Sequence, residues 1–327
     1  MYLLLAVTSA ALAALLTPVV GRGSARLGLV DAPGGRKVHA RSVPRTGGLA
    51  VVLSAGAALM LVTTVVRPGL DPEAWVAMRP FFIACGLIFL AGFIDDVRGL
   101  GAGSKLIVEL AAAAVIMSSG LLIERITLLG WTWQLGWIAW PVTAAWLVGM
   151  TNAFNLIDGV DGLAAGITAL AGVACGAILV VRGHAPEAML LAAFVGAAIG
   201  FLFFNFAPAS IFLGDGGSLV AGFLLAATAI TGWQKGATAL ATGVPLMIFA
   251  LPIADSALAL MRRSVARPSD GRSIRAMLRQ IAQPDREHIH HRMLAMGWSV
   301  RRTVLVLYGI TAILSLLALT TADVKAP

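Results

Sequence analysis

Carboxylates, amides and histidines of the kind that handle phosphate and a divalent metal gather in four short clusters of this chain. They are Asp95-Asp96, the run Asn152, Asn155, Asp158 and Asp161, then Asp215 inside Leu-Gly-Asp-Gly-Gly-Ser, and finally His288, His290 and His291. Magnesium prefers oxygen ligands, keeps several waters and is usually held by one or two carboxylates together with substrate phosphates. Asp215 with Asn155 or Asp158 fits that pattern, and Gly214, Gly216 and Gly217 would let a metal-bound diphosphate approach the backbone closely. Asp95 and Asp96 are read as the catalytic pair. Helical neighbours point about 100° apart, so one is expected to face the reacting phosphate and the other a neighbouring cation.

The spacing of three in Asn152, Asn155, Asp158 and Asp161 would wind around a straight helix, but Gly159 and Gly162 predict a break there. A turn would bring the amide and carboxylate oxygens together and leave the first N–H groups of the next helix open to phosphate. Single Asn or Asp residues are ordinary turn formers; four in register are what carry the reading. His288, His290 and His291, flanked by Arg286 and Arg292, supply donors for diphosphate oxygens. Zinc is the rival at that cluster, opposed by the absence of a nearby cysteine and by the adjacent guanidiniums. Lys105 and Glu109, four apart, are expected to pair. Asp255 reads as a structural partner for a neighbouring helix.

The elements that must position these residues are membrane helices. The 327-residue chain is 59% hydrophobic and 12% charged, with mean hydropathy +0.89, too apolar for a soluble globular class. A bilayer core about 30 Å thick needs about 20 apolar residues per helix. Ten windows qualify, near 2–20, 47–66, 80–94, 105–122, 136–152, 162–181, 188–206, 218–232, 238–260 and 303–320. The fold class is therefore all-α, a single polytopic catalytic domain over 1–327, with polar loops at about 21–46, 95–105, 153–161, 207–217 and 261–302.

Charge sets the orientation. Eighteen of the 24 Lys and Arg fall in 21–46, 95–105 and 261–302; the other six are Arg67, Arg79, Arg125, Arg182, Lys235 and Lys325. By the positive-inside rule the first set is cytoplasmic, both termini lie outside, and all four clusters face the cytoplasm. Met1 to Val20 lacks a basic leader and is expected to stay as the first span. The net charge of +8 sits in loops beside the membrane, which favours anionic lipid and a phosphorylated substrate as partners over nucleic acid. Ser273 to Gln283 reads as a short basic surface helix, and Glu124 to Trp137, with Trp131, Trp133 and Trp137, as part of an interfacial aromatic belt. Cys85 and Cys175 lie within spans and indicate neither a disulfide nor a zinc site. A ten-span transporter is the competing class, but it would place its charges near the midplane and show internal repeats, and neither pattern is present in this sequence.

Five motifs in order carry a family resemblance across residues 31–292: Asp31-Ala-Pro-Gly-Gly-Arg-Lys-Val-His39 with Pro44-Arg-Thr-Gly-Gly48; Gly92-Phe-Ile-Asp-Asp96; Asn152-Ala-Phe-Asn-Leu-Ile-Asp-Gly-Val-Asp-Gly-Leu163; Phe212-Leu-Gly-Asp-Gly-Gly-Ser218; and His288-Ile-His-His291. The chain resembles the polyprenyl-phosphate N-acetylhexosamine-1-phosphate transferases. His-Ile-His-His, and Val43-Pro-Arg-Thr-Gly-Gly48 in place of Thr-Pro-Thr-Met-Gly-Gly, point to the WecA/TagO-like branch over the phospho-MurNAc-pentapeptide branch. The resemblance implies an enzyme of the bacterial inner (cytoplasmic) membrane with ten or eleven helices, a cytoplasmic active site, magnesium or manganese as cofactor, and a homodimer as a compatible assembly. It implies transfer of a sugar-1-phosphate from a UDP-N-acetylhexosamine, by default UDP-N-acetylglucosamine, to undecaprenyl phosphate with release of UMP. Carried over by position, Asp95 and Asp96 lie nearest the lipid phosphate, Asp215 and Asn155 take the metal, and Lys37, Lys105, Asn152, Asp158, Asp161, His288, His290, His291 and Arg292 bind substrate. Both direct displacement and a double displacement through an aspartyl-phosphate fit this set.

Overall fold

Backbone N–H and C=O groups in a bilayer must be satisfied within the chain, so the apolar windows fold as helices. The computed structural model describes residues 1–31, 42–66, 72–128, 131–233, 243–265 and 288–321. Its helices are α1 (Tyr2–Arg26), α2 (Gly47–Leu61, continued by a π-helical turn Val62–Val66), α3 (Pro72–Arg98), α4 (Ala102–Ser118), α5 (Ala139–Ile157), α6 (Leu163–Val181), α7 (Ala185–Asn205), α8 (Asp215–Trp233), α9 (Gly243–Ile248), α10 (Ala250–Val265), α11 (Ile289–Ala295) and α12 (Val300–Thr321). A 3-10 turn (Gly136–Ile138) and two short antiparallel strand pairs accompany them: β1 (Val30–Asp31) with β2 (Val43–Pro44), and β3 (Arg125–Leu128) with β4 (Trp131–Gln134).

Seven helices among the described residues are long and apolar enough to cross a membrane: α1, α2 with its π turn, α3, α6, α7, α8 and α12. The chain is an all-α, multi-pass membrane protein. The window predicted at 238–260 is divided between α9 and α10, and α4 is shorter than the seven, at 17 residues. Several loops are shorter than predicted, because α1 runs on to Arg26, α3 to Arg98 and α5 to Ile157. Asp95 and Asp96 therefore stand within a helix, and Asn152 and Asn155 do too. Lys37, the Ser273–Gln283 segment and Arg286 lie outside the described residues.

The bundle is built around α8, whose apolar window is 94% buried, against 22% for α1. It packs on α2, α3, α5 and α6, while α1 lies on α2 and α7 at the periphery. Outer faces carry exposed Leu3, Leu15, Met60, Ile83, Leu90, Phe203 and Ile313, as lipid contact requires. Between helices the chain uses small residues, since without a hydrophobic force in lipid it is close packing that holds helices together. Gly196 and Gly200 of α7 press on the backbone of Ala6 and Ala10 of α1. Gly92 of α3 lies on the first residue of α8: a β-carbon there would stand 2.5 Å from the Asp215 carbonyl oxygen. Gly222 brings α8 onto α5, where a β-carbon would stand 2.5 Å from the Met150 carbonyl oxygen.

These approaches gather one end of the bundle: the ends of α1, α3 and α5 and the starts of α2, α4, α6, α8 and α12. The β3–β4 hairpin joins α4 to α5 at the other end, where Trp131, Trp133, Trp137 and Trp140 are exposed. Residues 212–214, which lead into α8, are stitched to the start of α2. Phe212 N donates to Pro44 O at 2.8 Å, Gly47 N to Phe212 O at 2.9 Å, and Gly48 N to Leu213 O at 2.7 Å.

Gly92→Ala should lower the apparent melting temperature in detergent, because overpacking a tight contact costs about 1–3 kcal/mol. Gly86→Ala on the same helix, where a β-carbon meets nothing within 4 Å, should not lower it. Equal behaviour of the two variants would contradict a close α3–α8 seam.

Candidate active site

The first amides of a helix have no partner within it, and at α8 that need is met from α3. Asp96 Oδ1 accepts from Asp215 N and Oδ2 from Gly216 N, both at 2.9 Å. Asp96 is 5% exposed, so both its oxygens are committed to capping. The space beside the glycines expected to cradle a diphosphate is filled by the protein: Gly217 lies on Gly48, Gly214 under the Arg45 carbonyl and the Asp96 carboxylate, and Gly216 against α3 at Phe93.

One residue earlier on α3, Asp95 points elsewhere, as a helical neighbour must. Its Oδ1 accepts from Leu100 N at 2.5 Å and its Oδ2 from Lys105 Nζ at 3.3 Å. The same ammonium lies 2.8 Å from Asp215 Oδ2, and the Asp95 and Asp215 side chains come within hydrogen-bonding reach of each other. Lys105 therefore bridges two carboxylates across α3, α4 and α8, and all three side chains remain partly open to solvent. The expected pair with Glu109 does not form. Buried Glu109 instead accepts from Asn152 Nδ2 at 2.6 Å, because the bridge draws the lysine toward Asp215.

Along the α5–α8 seam the contacts repeat turn by turn: Gly222 on Thr151, then Ser218 beside Asn155. Asn155 Nδ2 donates to Ser218 Oγ at 3.4 Å, and Ser218 Oγ donates to Gly214 O at 3.0 Å. Past Ile157 the helix gives way to a turn, Asp158–Gly162, which closes through left-handed Gly162 (φ +79°). The predicted break is therefore present. Burial, then the negative charges of Asp215 and Asp96, raises the Asp158 carboxyl well above the ordinary carboxylate value, against a hydrogen bond from the Gly214 amide. Asp161 faces away and accepts from Ala209 N at 2.9 Å. The turn is clamped from α12, where Tyr308 donates its hydroxyl to Gly162 O, and Arg301 Nε of the same helix holds the segment after α7 by donating to Ala207 O at 2.8 Å.

The histidines stand over this turn. A β-carbon on Gly159 would lie 3.2 Å from His290 Nε2 and 3.8 Å from His291 Nε2. His288 is turned back into the protein, with Nδ1 2.9 Å from Asp255 Oδ2, while Asp255 Oδ1 accepts from Ile289 N at 2.7 Å. The His288 and His290 rings stack in parallel, 5.6 Å apart. Among the described residues His290 Nε2 is buried without a hydrogen-bond partner. Burial, and then the charge of His291, holds the His290 pKa down at about 4, against the pull of Asp255. Near neutral pH, His290 is thus a neutral donor or acceptor.

Sequence comparison shows which family the chain belongs to. A family model described as glycosyl transferase family 4 matches residues 78–233, which hold Asp95 to Asp215. A probable undecaprenyl-phosphate N-acetylglucosaminyl 1-phosphate transferase of Bacillus subtilis is 37% identical over 93% of this chain and 80% of its own length. The chain belongs to glycosyl transferase family 4. A decaprenyl-phosphate N-acetylglucosaminephosphotransferase of Mycolicibacterium smegmatis is 33% identical over 86% of the chain and 73% of its own length. Among family 4 relatives is also a phospho-N-acetylmuramoyl-pentapeptide-transferase of Synechococcus, 33% identical over 89% of the chain and 87% of its own length.

On this family 4 scaffold the structure joins Asp95, Lys105 and Asp215 in one constellation, with Asn155, Asp158, His290 and His291 around the adjacent turn. Asn152 is exposed beside Glu109, and Arg292 lies on α11. Among the described residues no three His, Cys, Asp or Glu side chains form a ready metal cage. Ser218 and Arg45 lie inside the motifs but carry no role in the sequence reading, whereas Asp255 is the structural partner expected of it, holding His288 and Ile289 N.

Between about pH 6.5 and pH 4 the unfolded chain takes up a proton at His290 that the folded protein refuses, so stability rises with pH in that window and is lost on acidification. His290→Gln should lose less apparent melting temperature than wild type on going from pH 6.5 to pH 4. Equal losses would contradict a buried neutral imidazole.

Proposed function

We propose that this chain transfers N-acetylglucosamine-1-phosphate from UDP-N-acetylglucosamine to undecaprenyl phosphate, releasing UMP, on the cytoplasmic face of a bacterial inner membrane with both termini outside. The carrying observation is the Lys105 bridge between Asp95 and Asp215, set beside the Asp158 turn at one end of the bundle. The B. subtilis and M. smegmatis relatives, named for polyprenyl-phosphate N-acetylglucosamine phosphotransfer, support the substrates. The excess of basic residues in 21–46, 95–105 and 261–302 supports the orientation.

Phosphoryl transfer is catalysed mainly by positioning and charge stabilisation. A phosphate monoester has a second pKa of about 6, so the acceptor is mostly dianionic near neutral pH and attacks without a base. One acceptor oxygen forms a bond to the phosphorus next to the sugar, the bridging P–O bond of the diphosphate breaks, and UMP leaves with the electron pair. Asp95 is therefore not needed to remove a proton; it orients Lys105, whose ammonium meets developing charge on the phosphates. Asp96 acts by positioning, since it fixes α8 and hence Asp215.

Magnesium suits the donors present: two carboxylates within reach of each other share a single ammonium, and magnesium is usually held by one or two carboxylates together with substrate phosphates. Asp215 and Asn155 would hold it, and it would neutralise diphosphate charge. His290 and His291, over Gly159, and Arg292 are assigned to the nucleotide and diphosphate.

Purified protein in detergent should form a lipid-linked product from UDP-N-acetylglucosamine and undecaprenyl phosphate in magnesium buffer and stop on chelation. Asp215→Ala and Lys105→Met should each lower kcat/KM by about 10²–10³, the usual loss for a group stabilising transition-state charge. Wild-type rates in either variant, or product only from the pentapeptide-bearing donor, would contradict the proposal.

A further inference from the structure

Arg45 stands in the turn between β2 and α2, a cation in the site that none of the roles above uses. Its backbone is fixed on both sides. Arg45 N donates to Leu29 O at 3.4 Å, its carbonyl lies over Gly214, and the adjoining Pro44, Gly47 and Gly48 are hydrogen-bonded to residues 212–213. The residue is half-buried and within electrostatic reach of Asp96. It makes no ion pair there among the described residues, and both Asp96 oxygens already accept from α8 amides.

Among the described residues the Arg45 Nε is buried with no hydrogen-bond partner. Buried polar groups are nearly always satisfied, and an exception in a native structure calls for an explanation such as an absent ion. A guanidinium never gives up its charge at ordinary pH, and its planar fork of donors matches the oxygens of a phosphate. Carboxylates Asp95, Asp158 and Asp215 gather at the site, and Lys105 is shared between two of them. A diphosphate and a phosphate monoester brought together here need more positive charge than the lysine supplies.

We propose that Arg45 binds a phosphate oxygen of one of the two substrates, its Nε completing its hydrogen bonding on that ligand. This rests on the transferase reading and adds a binding residue to it. Phosphate is the shared chemistry; the acceptor monoester and the donor diphosphate are its two sources.

Equilibrium binding of UDP-N-acetylglucosamine and of undecaprenyl phosphate should be measured separately on wild type, Arg45→Gln and Arg45→Lys in detergent, with turnover and thermal melting alongside. A charge-assisted hydrogen bond contributes about 1.5–3 kcal/mol, so Arg45→Gln should weaken one ligand about tenfold or more while melting as wild type does. Arg45→Lys should recover part of the loss. Weakening confined to the lipid phosphate assigns the acceptor, and weakening confined to the nucleotide sugar assigns the donor. Both affinities unchanged in an active protein would overturn the Arg45 role alone, as would activity lost only together with a lowered melting temperature. A folded wild type that binds neither ligand would overturn the transferase reading along with it.

Discussion

The site depends on the grip of Asp96 on the first two amides of α8. Those N–H groups would otherwise be orphaned near the membrane surface, and a carboxylate one turn past Gly92 meets both of them. Hydrogen bonds to a charged group contribute about 1.5–3 kcal/mol each, enough to fix the depth and rotation of the central helix against α3. Asp215 and Asp95, on consecutive sides of that joint, are then brought to Lys105 without further adjustment. The glycines at positions 48, 92, 214 and 217 serve the same joint, because larger residues would drive the backbones apart.

From this joint the rest of the site follows in layers. Close packing of Gly222 on α5 sets Asn155 beside Ser218, and the next turn leaves the helix as Asp158–Gly162. Tyr308 and Asp161 hold that turn through Gly162 and Ala209, with Gly159 under the histidines and Asp158 toward the Gly214 amide. Asp255, in turn, uses both oxygens to hold His288 and the start of α11. The arrangement separates carboxylates that position protein, Asp96, Asp161 and Asp255, from those that meet Lys105, Asp95 and Asp215.

Much of this was legible in the sequence. Apolar windows gave the helices, Gly159 and Gly162 gave the turn after α5, and the one-sided polar clusters gave the shared end of the bundle. What the sequence hid were choices among partners. The four-residue spacing points to Lys105 with Glu109, but the fold sets two carboxylates, Asp95 on α3 and Asp215 on α8, within reach of the ammonium. The Gly-Asp-Gly-Gly run looked like a ligand cradle, yet its close approaches are to Gly48 and Gly92, contacts that no local pattern encodes. Asp255 is the structural partner its sequence position suggests, but only the fold shows that it holds His288 and the start of α11.

The central claim is that the sugar crosses with its phosphate. The most direct test uses UDP-N-acetylglucosamine labelled at the phosphorus next to the sugar, incubated with the purified protein and undecaprenyl phosphate. Label recovered in the lipid fraction, with unlabelled UMP released, is the predicted result. Label remaining on a released UDP, with only sugar passing to the lipid, would contradict it.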